Sequence, residues 1–184
     1  RHFEDRRHET IDDPETVACA VLVPLLPSAA GYELVYTLRS EELPNHKGQV
    51  SFPGGKRSRA DSSLVETALR ECQEEIGVDT DEVTVIGRLD DLYTFADSYV
   101  ISPVVGLLPE GCSFRPNPAE VSDLFTIPLG ELADPANHDI ESKNWDGADY
   151  DIDVITAGPH NIWGATHRIT LNLIECIFAA GIEL

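Results

Sequence analysis

The sequence predicts an α/β or α+β sandwich in which a mixed β-sheet has a helix on each face. Apolar, β-rich runs of strand length recur along the chain, and two longer segments show helical periodicity. Strands that alternate with substantial helices are typical of layered folds of this kind. A chain of 184 residues is long enough for one such layered unit and short for two, so we expect a single domain over residues 1–184.

The first predicted strands follow one another closely. After a polar lead over residues 1–16, the apolar run Val17–Leu26 ends at a proline, and a second run covers Tyr32–Arg39. A shorter run, Val50–Phe52, is followed by proline and two glycines. We interpret the first two runs as neighbouring strands and the third as a short strand that ends at this turn signal.

The clearest predicted helix begins after Ser63 and ends at Gly77. Ser63 and Glu66 have the spacing of a capping box, and glycine is the residue that most often ends a helix in the left-handed conformation. Apolar residues recur between these signals at intervals that place them on one helical face. They are Val65, Leu69, Cys72 and Ile76.

Strands dominate the middle of the chain. We expect them at Val83–Leu89, Tyr99–Leu108 and Leu124–Ile127, with a short helix after Pro128. The run from Trp163 to Ala180 has helical spacing, given by Ile169, Leu173, Cys176 and Ile177.

The acidic stretch 134–153 has two interpretations. It holds a hairpin around Asp146 and Gly147, or it is a long acidic surface insertion.

The charge of the chain is strongly one-sided. The 33 Asp and Glu residues outnumber the 13 Lys and Arg residues, for a formal net charge of -20. Binding to nucleic acid is disfavoured, because its main electrostatic contribution requires a basic face. Carboxylates spread over the whole chain suit a salt-rich cytoplasm, where salt screens their repulsion, so we expect a halophilic source; an ordinary acidic protein is the alternative.

Four cysteines stand apart from one another, with no CxxC pair. We expect buried free thiols in a reducing, cytoplasmic compartment. No stretch of 18 apolar residues occurs, so we expect no membrane span. The sequence does not fix the oligomeric state, and a homodimer is one of the states that it allows.

Three glutamates of the predicted helix carry the first functional signal. Glu71, Glu74 and Glu75 fall on one side of the helix, where they repel one another unless a cation or solvent compensates their charge. Hard oxygen ligands in this number suit Mg²⁺ or Mn²⁺. The alternative is a solvated acidic face.

A segment before the helix favours the metal interpretation. Gly54 and Gly55 allow backbone N–H groups to approach an anion closely, and Lys56 follows them directly. Arg39 could bind a phosphate through two nitrogens or form a salt bridge on this acidic surface. Together these residues predict a site for a metal and a phosphate-containing substrate.

This pattern resembles the Nudix box, a glycine and an acidic residue followed by REUxEExGU with U aliphatic. The matching residues are Gly55 through Asp61, Arg70-Glu71, Glu74-Glu75, Gly77 and Val78. The run from Thr37 to Gly55 is similar to the additional signature of the coenzyme A pyrophosphatase branch, with Pro44 where that branch usually has Arg.

The resemblance implies a Nudix α/β/α sandwich and a small-molecule nucleotide substrate, a nucleoside diphosphate linked to another moiety. For coenzyme A the implied products are 3',5'-adenosine bisphosphate and 4'-phosphopantetheine. It implies Glu71 and Glu75 as metal ligands, with Glu74 as a third ligand or as the base. Alternatives are a hydrolase of ADP-ribose or NADH, and a nucleotide-binding domain of the same fold without catalysis.

Four further residues have expected roles. Nudix enzymes use a catalytic carboxylate outside the box, for which Glu120 and Asp123 are candidates unless both belong to a solvated loop. Arg70 is expected to form ion pairs with Glu66 and Glu74, four residues before and after it. Trp163 is expected to pack rather than to stack on a base.

Overall fold

Strand β1 (Val17–Ser28) lies at the centre of the main sheet of the computed structural model. The structure describes residues 9–13, 15–29, 31–94, 98–145 and 147–182. Of the predicted polar lead, residues 1–8 and Pro14 lie outside the described residues. Within the described ranges the main sheet has eight strands. The other seven are β2 (Gly31–Arg39), β3 (Val50–Ser51), β4 (Gly54–Lys56), β5 (Thr84–Arg88), β6 (Leu92–Thr94), β7 (Tyr99–Leu107) and β8 (Val121–Pro128).

The sheet is mixed. β1 runs parallel to β7 and antiparallel to β2 and β4. β2 also pairs with β3 and β8, while β7 pairs with β5 and β6. Two strands pair with different parts of the same edge of β1: β4 pairs with Cys19–Val21, and β2 pairs with Leu25–Ser28. This arrangement brings β4, which was predicted as a turn leading into the helix, next to the central strand.

Alternate residues of β1 face opposite sides of the sheet, as the twofold periodicity of a strand requires. Ala20 and Leu22 belong to one apolar cluster, together with Cys72 and Ile76 of helix α1 (Leu64–Ile76). Val23 belongs to the other cluster, which helix α3 (Gly164–Ala179) covers with residues such as Leu173 and Ile177. The predicted sandwich is therefore confirmed, with a helix on each face of a mixed sheet.

Both ends of α1 are where the capping signals place them. Ser63 Oγ accepts a hydrogen bond from the Glu66 N–H at 3.1 Å, and Gly77 has a φ of 70°. The capping box is nevertheless incomplete, because the Glu66 carboxylate accepts from Ser62 N at 2.6 Å instead of from Ser63.

The buried face of α1 is rotated from the predicted stripe. Val65 and Leu69 are only partly buried, whereas Thr67 and Glu75 are buried. Polar residues can occupy a core face when buried partners satisfy them, and hydrophobic periodicity does not detect such positions.

The second half of the chain adds a smaller sheet. Helix α2 (Leu129–Ala133) follows β8, and a three-stranded sheet contains β9 (His138–Trp145), β10 (Ala148–Ile155) and β11 (Ile162–Trp163). Short 3₁₀ turns occur at Thr80–Glu82 and Pro135–Asn137. The hairpin interpretation of 134–153 matches β9 and β10, although Asp146 at its turn lies outside the described residues. No helix in the described ranges is long and apolar enough to cross a membrane.

Candidate active site

The two glycines of β4 permit a close approach of three elements. A Cβ on Gly54 would lie 2.6 Å from the Val21 Cα and would also strike the Ala20 carbonyl oxygen. A Cβ on Gly55 would lie 2.6 Å from the carboxyl carbon of Glu71. These residues form a strand rather than the expected loop, because only glycine lets β4 pass between β1 and the glutamates of α1.

Glu75 is the most buried of the three glutamates, with 3% of its surface exposed. Burial is the main cause that raises the pKa of its carboxyl to about 8, and the neighbouring Glu120 and Glu71 contribute to this rise. Arg39 and the N–H of Gly54 act in the opposite direction. Without further positive charge, the Glu75 carboxyl is therefore mostly protonated at neutral pH.

Glu71 is half-buried and also repelled by its neighbours. Burial raises the pKa of its carboxyl, and Glu74 and Glu120 add to the rise. Arg70 opposes it through a hydrogen bond of 2.7 Å from Nη1 to Glu71 Oε1. This second carboxylate faces Gly55.

Glu74 differs from the other two. Its carboxylate is exposed and accepts from Arg70 Nη1 at 3.1 Å. Glu71 and Glu74 both accept from Arg70 Nη1, whereas Glu75 turns inward to the Gly54 N–H. No three His, Cys, Asp or Glu side chains of the described residues form a group that could hold a metal ion. The assignment of Glu71, Glu74 and Glu75 to one metal site stays a prediction.

Arg70 connects the helix to the preceding loop. Its Nε and Nη2 each lie 3.0 Å from the Asp61 carboxylate, and Nη2 also donates to the Lys56 carbonyl at 3.2 Å. The expected pair with Glu74 is present, but the expected pair with Glu66 is wrong: Asp61 takes that place, and Glu66 binds Ser62. Buried Asp61 thus has a positioning role. Its match to the acidic residue of the Nudix-box pattern indicated this role only in part.

Glu120 reaches the same region from a distant part of the chain. It precedes β8, and its carboxylate accepts from Asn117 Nδ2 at 3.0 Å. It raises the pKa of both Glu71 and Glu75, which shows that the three carboxylates are electrostatic neighbours. Asp123 instead lies within β8, exposed and 3.1 Å from His160 Nε2, so it does not belong to a loop as expected.

A cavity of about 580 Å³ opens beside this group. Arg39, Gly54 and Gly55 line it, and most of its wall is apolar or aromatic, with Phe52, Tyr93, Tyr99 and Trp163 among the lining residues. The buried Nε of Arg39 has no hydrogen-bond partner among the described residues, while the guanidinium charge acts on the Glu75 carboxyl. None of the described residues that line this cavity is Asp or Glu.

Two cations contact aromatic rings at the cavity. The Lys56 ammonium lies 4.9 Å from the centroid of the Tyr99 ring, and the Lys143 ammonium lies 4.2 Å from that of Trp163. Cation–aromatic contacts of this length are attractive. They place positive charge on two of the aromatic residues in the wall, which sequence periodicity did not indicate.

The cysteines offer no nucleophile. Those of the described chain are free thiols, and burial raises the pKa of Cys72 to about 12, so it stays protonated at neutral pH.

Comparison with known proteins gives a consistent result. A model of the NUDIX domain matches residues 17–146. The chain is 36% identical to the uncharacterized Nudix hydrolase NudL of Photorhabdus laumondii over 156 residues, 85% of this chain and 82% of that protein. It is 41% identical to the human mitochondrial coenzyme A diphosphatase NUDT8, over 83% of this chain and 66% of that protein.

Solved structures show the same fold. A MutT/nudix family protein from Enterococcus faecalis superposes with a TM-score of 0.63 at 14% identity, over 94% of this chain and 66% of that one. RenU, a Nudix hydrolase from M. smegmatis, gives 0.54 at 18% identity, over 64% and 73% of the two chains. The family match, the relatives and the fold agree, and the chain belongs to the Nudix hydrolases.

Proposed function

We propose that this Nudix hydrolase is a divalent-metal-dependent diphosphatase that acts on coenzyme A or its derivatives. The products would be 3',5'-adenosine bisphosphate and 4'-phosphopantetheine. The observation that carries the proposal is the cavity beside Gly54 and Gly55, which combines an unpartnered Arg39 Nε with an apolar wall and no acidic lining residue in the described chain. The similarity to human NUDT8 and the run from Thr37 to Gly55 support the same substrate.

The chemistry of the cavity suits this substrate class. In a chain with a net charge of -20, a wall free of described carboxylates removes local repulsion of an anionic ligand. The Arg39 guanidinium can hold diphosphate oxygens through two parallel hydrogen bonds. The aromatic and apolar wall can cover the uncharged parts of the substrate.

The buried carboxylates fit a hard divalent cation, Mg²⁺ or Mn²⁺. Glu71 and Glu75 would be its ligands, because both carboxylates are buried or half-buried and repel each other with too little positive charge nearby. When bound, such an ion neutralises the diphosphate and lowers the pKa of the attacking water. Glu74, exposed and held by Arg70, would bind at the outer side of this group or assist as a base.

Each of the protein residues would then have a separate role in the reaction. Arg39 holds the diphosphate, and Glu120, held by Asn117, accepts the proton of the water as its oxygen attacks one phosphorus. The bond from that phosphorus to the bridging oxygen breaks, and the bridging oxygen leaves with the other phosphate. Arg70 and Asp61 act as positioning residues, since they fix the orientation of Glu71.

We also propose a reducing cytoplasmic location for the reaction, which the free thiols of the described cysteines support. The strongly negative charge supports small-molecule substrates over nucleic acid.

Product analysis tests the proposed function. Purified protein is incubated with coenzyme A, ADP-ribose or NADH, in Mg²⁺, in Mn²⁺ or in EDTA, and the products are identified by mass spectrometry. We expect 3',5'-adenosine bisphosphate from coenzyme A, only with metal, and the highest kcat/KM for this substrate. Faster cleavage of ADP-ribose or NADH would overturn the substrate assignment, and turnover in EDTA would overturn the metal assignment.

A further inference from the structure

The cavity contains a second arginine that the proposed chemistry does not use. Arg168 of helix α3 lines it together with Arg39. No ion pair or hydrogen bond joins the Arg168 side chain to another residue in the described part of the chain. The chain is rich in carboxylates, yet Arg168 pairs with none of the described ones, and the cavity wall contains no described Asp or Glu. Arg168 is therefore available to bind an anionic ligand.

Arg168 and Arg39 lie toward different edges of the cavity. Thr166 of α3 donates to the Val50 carbonyl at 2.8 Å, so this side of the helix faces β3, next to the end of β2 that carries Arg39. Asn172, one turn beyond Arg168, exchanges hydrogen bonds of 3.1 Å with Asp90, shortly before β6. The side of α3 that bears Arg168 and Asn172 therefore faces β6, whose residues Leu92–Thr94 also line the cavity.

The sheet register gives the separation between β6 and the glycine strand. At this level of the sheet the order is β4, β1, β7 and β6. Three strand spacings correspond to about 14 Å. Strand β6, which this side of α3 faces, thus lies well away from Gly54 and Gly55, where the diphosphate is expected. A ligand group bound at the β6 edge of the cavity would therefore be a different group from the one at the glutamates.

We propose that Arg168 determines specificity by binding a second phosphate group of the substrate, one attached to the ribose and separate from the diphosphate. The inference rests on the proposed function and deepens it. A planar guanidinium matches phosphate oxygens in charge and geometry. Coenzyme A carries such a group on its ribose, whereas ADP-ribose and NADH do not. Trp163 and Tyr93 in the same wall are suited to cover the nucleoside between the two charged groups.

Binding of reaction products tests this assignment without turnover. Calorimetry compares 3',5'-adenosine bisphosphate with 5'-AMP, which lacks the second phosphate, for the wild type, Arg168→Gln, Arg168→Lys and the control Arg115→Gln. Arg115 is exposed and does not line the cavity. Loss of one charge-assisted contact corresponds to about a ten- to hundredfold change in affinity.

The expected result is specific to one ligand. Arg168→Gln should weaken the binding of 3',5'-adenosine bisphosphate by about that factor and leave the affinity for 5'-AMP unchanged. The preference for the bisphosphate over 5'-AMP is then lost, whereas Arg168→Lys should keep part of this preference. Arg115→Gln should bind as the wild type does. Equal weakening of both ligands by Arg168→Gln, or a wild type that does not prefer the bisphosphate, would overturn the proposal.

Kinetics with coenzyme A and 3'-dephospho-coenzyme A provide the second comparison. Arg168→Gln should raise KM for coenzyme A by about ten- to hundredfold, with little change in kcat. For 3'-dephospho-coenzyme A, neither KM nor kcat should change. An equal loss with both substrates would overturn the role of Arg168. If the wild type cleaves neither substrate, the proposed function fails, and the calorimetry still decides whether Arg168 recognises the second phosphate.

Discussion

Asp61 and Arg70 form a two-point ion pair, with Nε 3.0 Å from Oδ1 and Nη2 3.0 Å from Oδ2. Asp61 also accepts from Ser58 N at 2.8 Å and from the Thr67 hydroxyl at 2.9 Å, so it ties the loop before α1 to the helix itself. The remaining nitrogen of Arg70 contacts Glu71. This pair therefore transmits the position of the loop to a proposed metal ligand.

Asp61→Asn should destabilise the protein at neutral pH more than at acid pH. The hydrogen bonds from Arg70 hold the pKa of Asp61 well below its ordinary value of 3.8. A carboxyl with a lowered folded-state pKa contributes stability that is fully present above the unfolded-state pKa and is lost progressively as the pH falls from that value through the folded-state pKa. Denaturant titrations at pH 7 and pH 3 measure the difference.

The control for Asp61 is Asp139→Asn, in the exposed hairpin. This variant should change stability little at either pH. An Asp61→Asn variant as stable as the wild type at pH 7 would show that the ion pair does not hold the loop.

Glu71→Gln and Glu75→Gln should each lower kcat by at least about a hundredfold, the scale expected when one essential electrostatic group is removed from an active site. Folding should be retained, because an amide replaces a carboxylate of nearly the same shape. Steady-state rates at saturating Mg²⁺ and circular dichroism check the two statements. Glu74→Gln is the matched comparison and should lose less activity, since its carboxylate is exposed. Near-normal turnover in both Glu71→Gln and Glu75→Gln would refute their assignment as ligands.

Glu120→Gln should lower kcat by about 10²- to 10⁴-fold, the usual contribution of a general base. The loss should appear in kcat more than in KM, because a base acts on the attacking water and not on substrate binding. Asp123→Asn should keep a near-normal kcat, since Asp123 pairs with His160 instead. A near-normal kcat in Glu120→Gln would assign the base elsewhere, and the kcat of Glu74→Gln then identifies whether Glu74 supplies it.

Salt should stabilise the folded protein. With a net charge of -20, repulsion among surface carboxylates weakens as ionic strength rises, because the screening length falls to about 3 Å at molar salt. Thermal melts in a potassium chloride series should show a rising Tm. A Tm that is flat or falls up to molar salt would refute adaptation to a salt-rich cytoplasm and would leave the enzymatic assignment unaffected.

Sequence alone predicted the elements whose signals are local. The ends of α1 follow from Ser63 and Gly77, since caps act within one helical turn. The strand at Leu92–Thr94 and the strand at Gly54–Lys56 were not predicted, because short strands gain their stability from the neighbours with which they pair. Hydropathy also assigned Glu75 to the polar side of α1, although its partners lie on other elements.

The sequence itself determined the spacing of Glu71, Glu74 and Glu75 on one helix, and with it the resemblance to the family. Only the tertiary structure decided which of them is buried, that Glu120 is their electrostatic neighbour, and that Arg39 and Arg168 line one cavity. The physical reason is range. Helical periodicity depends on residues a few positions apart, whereas burial and electrostatic coupling depend on residues that only the folded chain brings together.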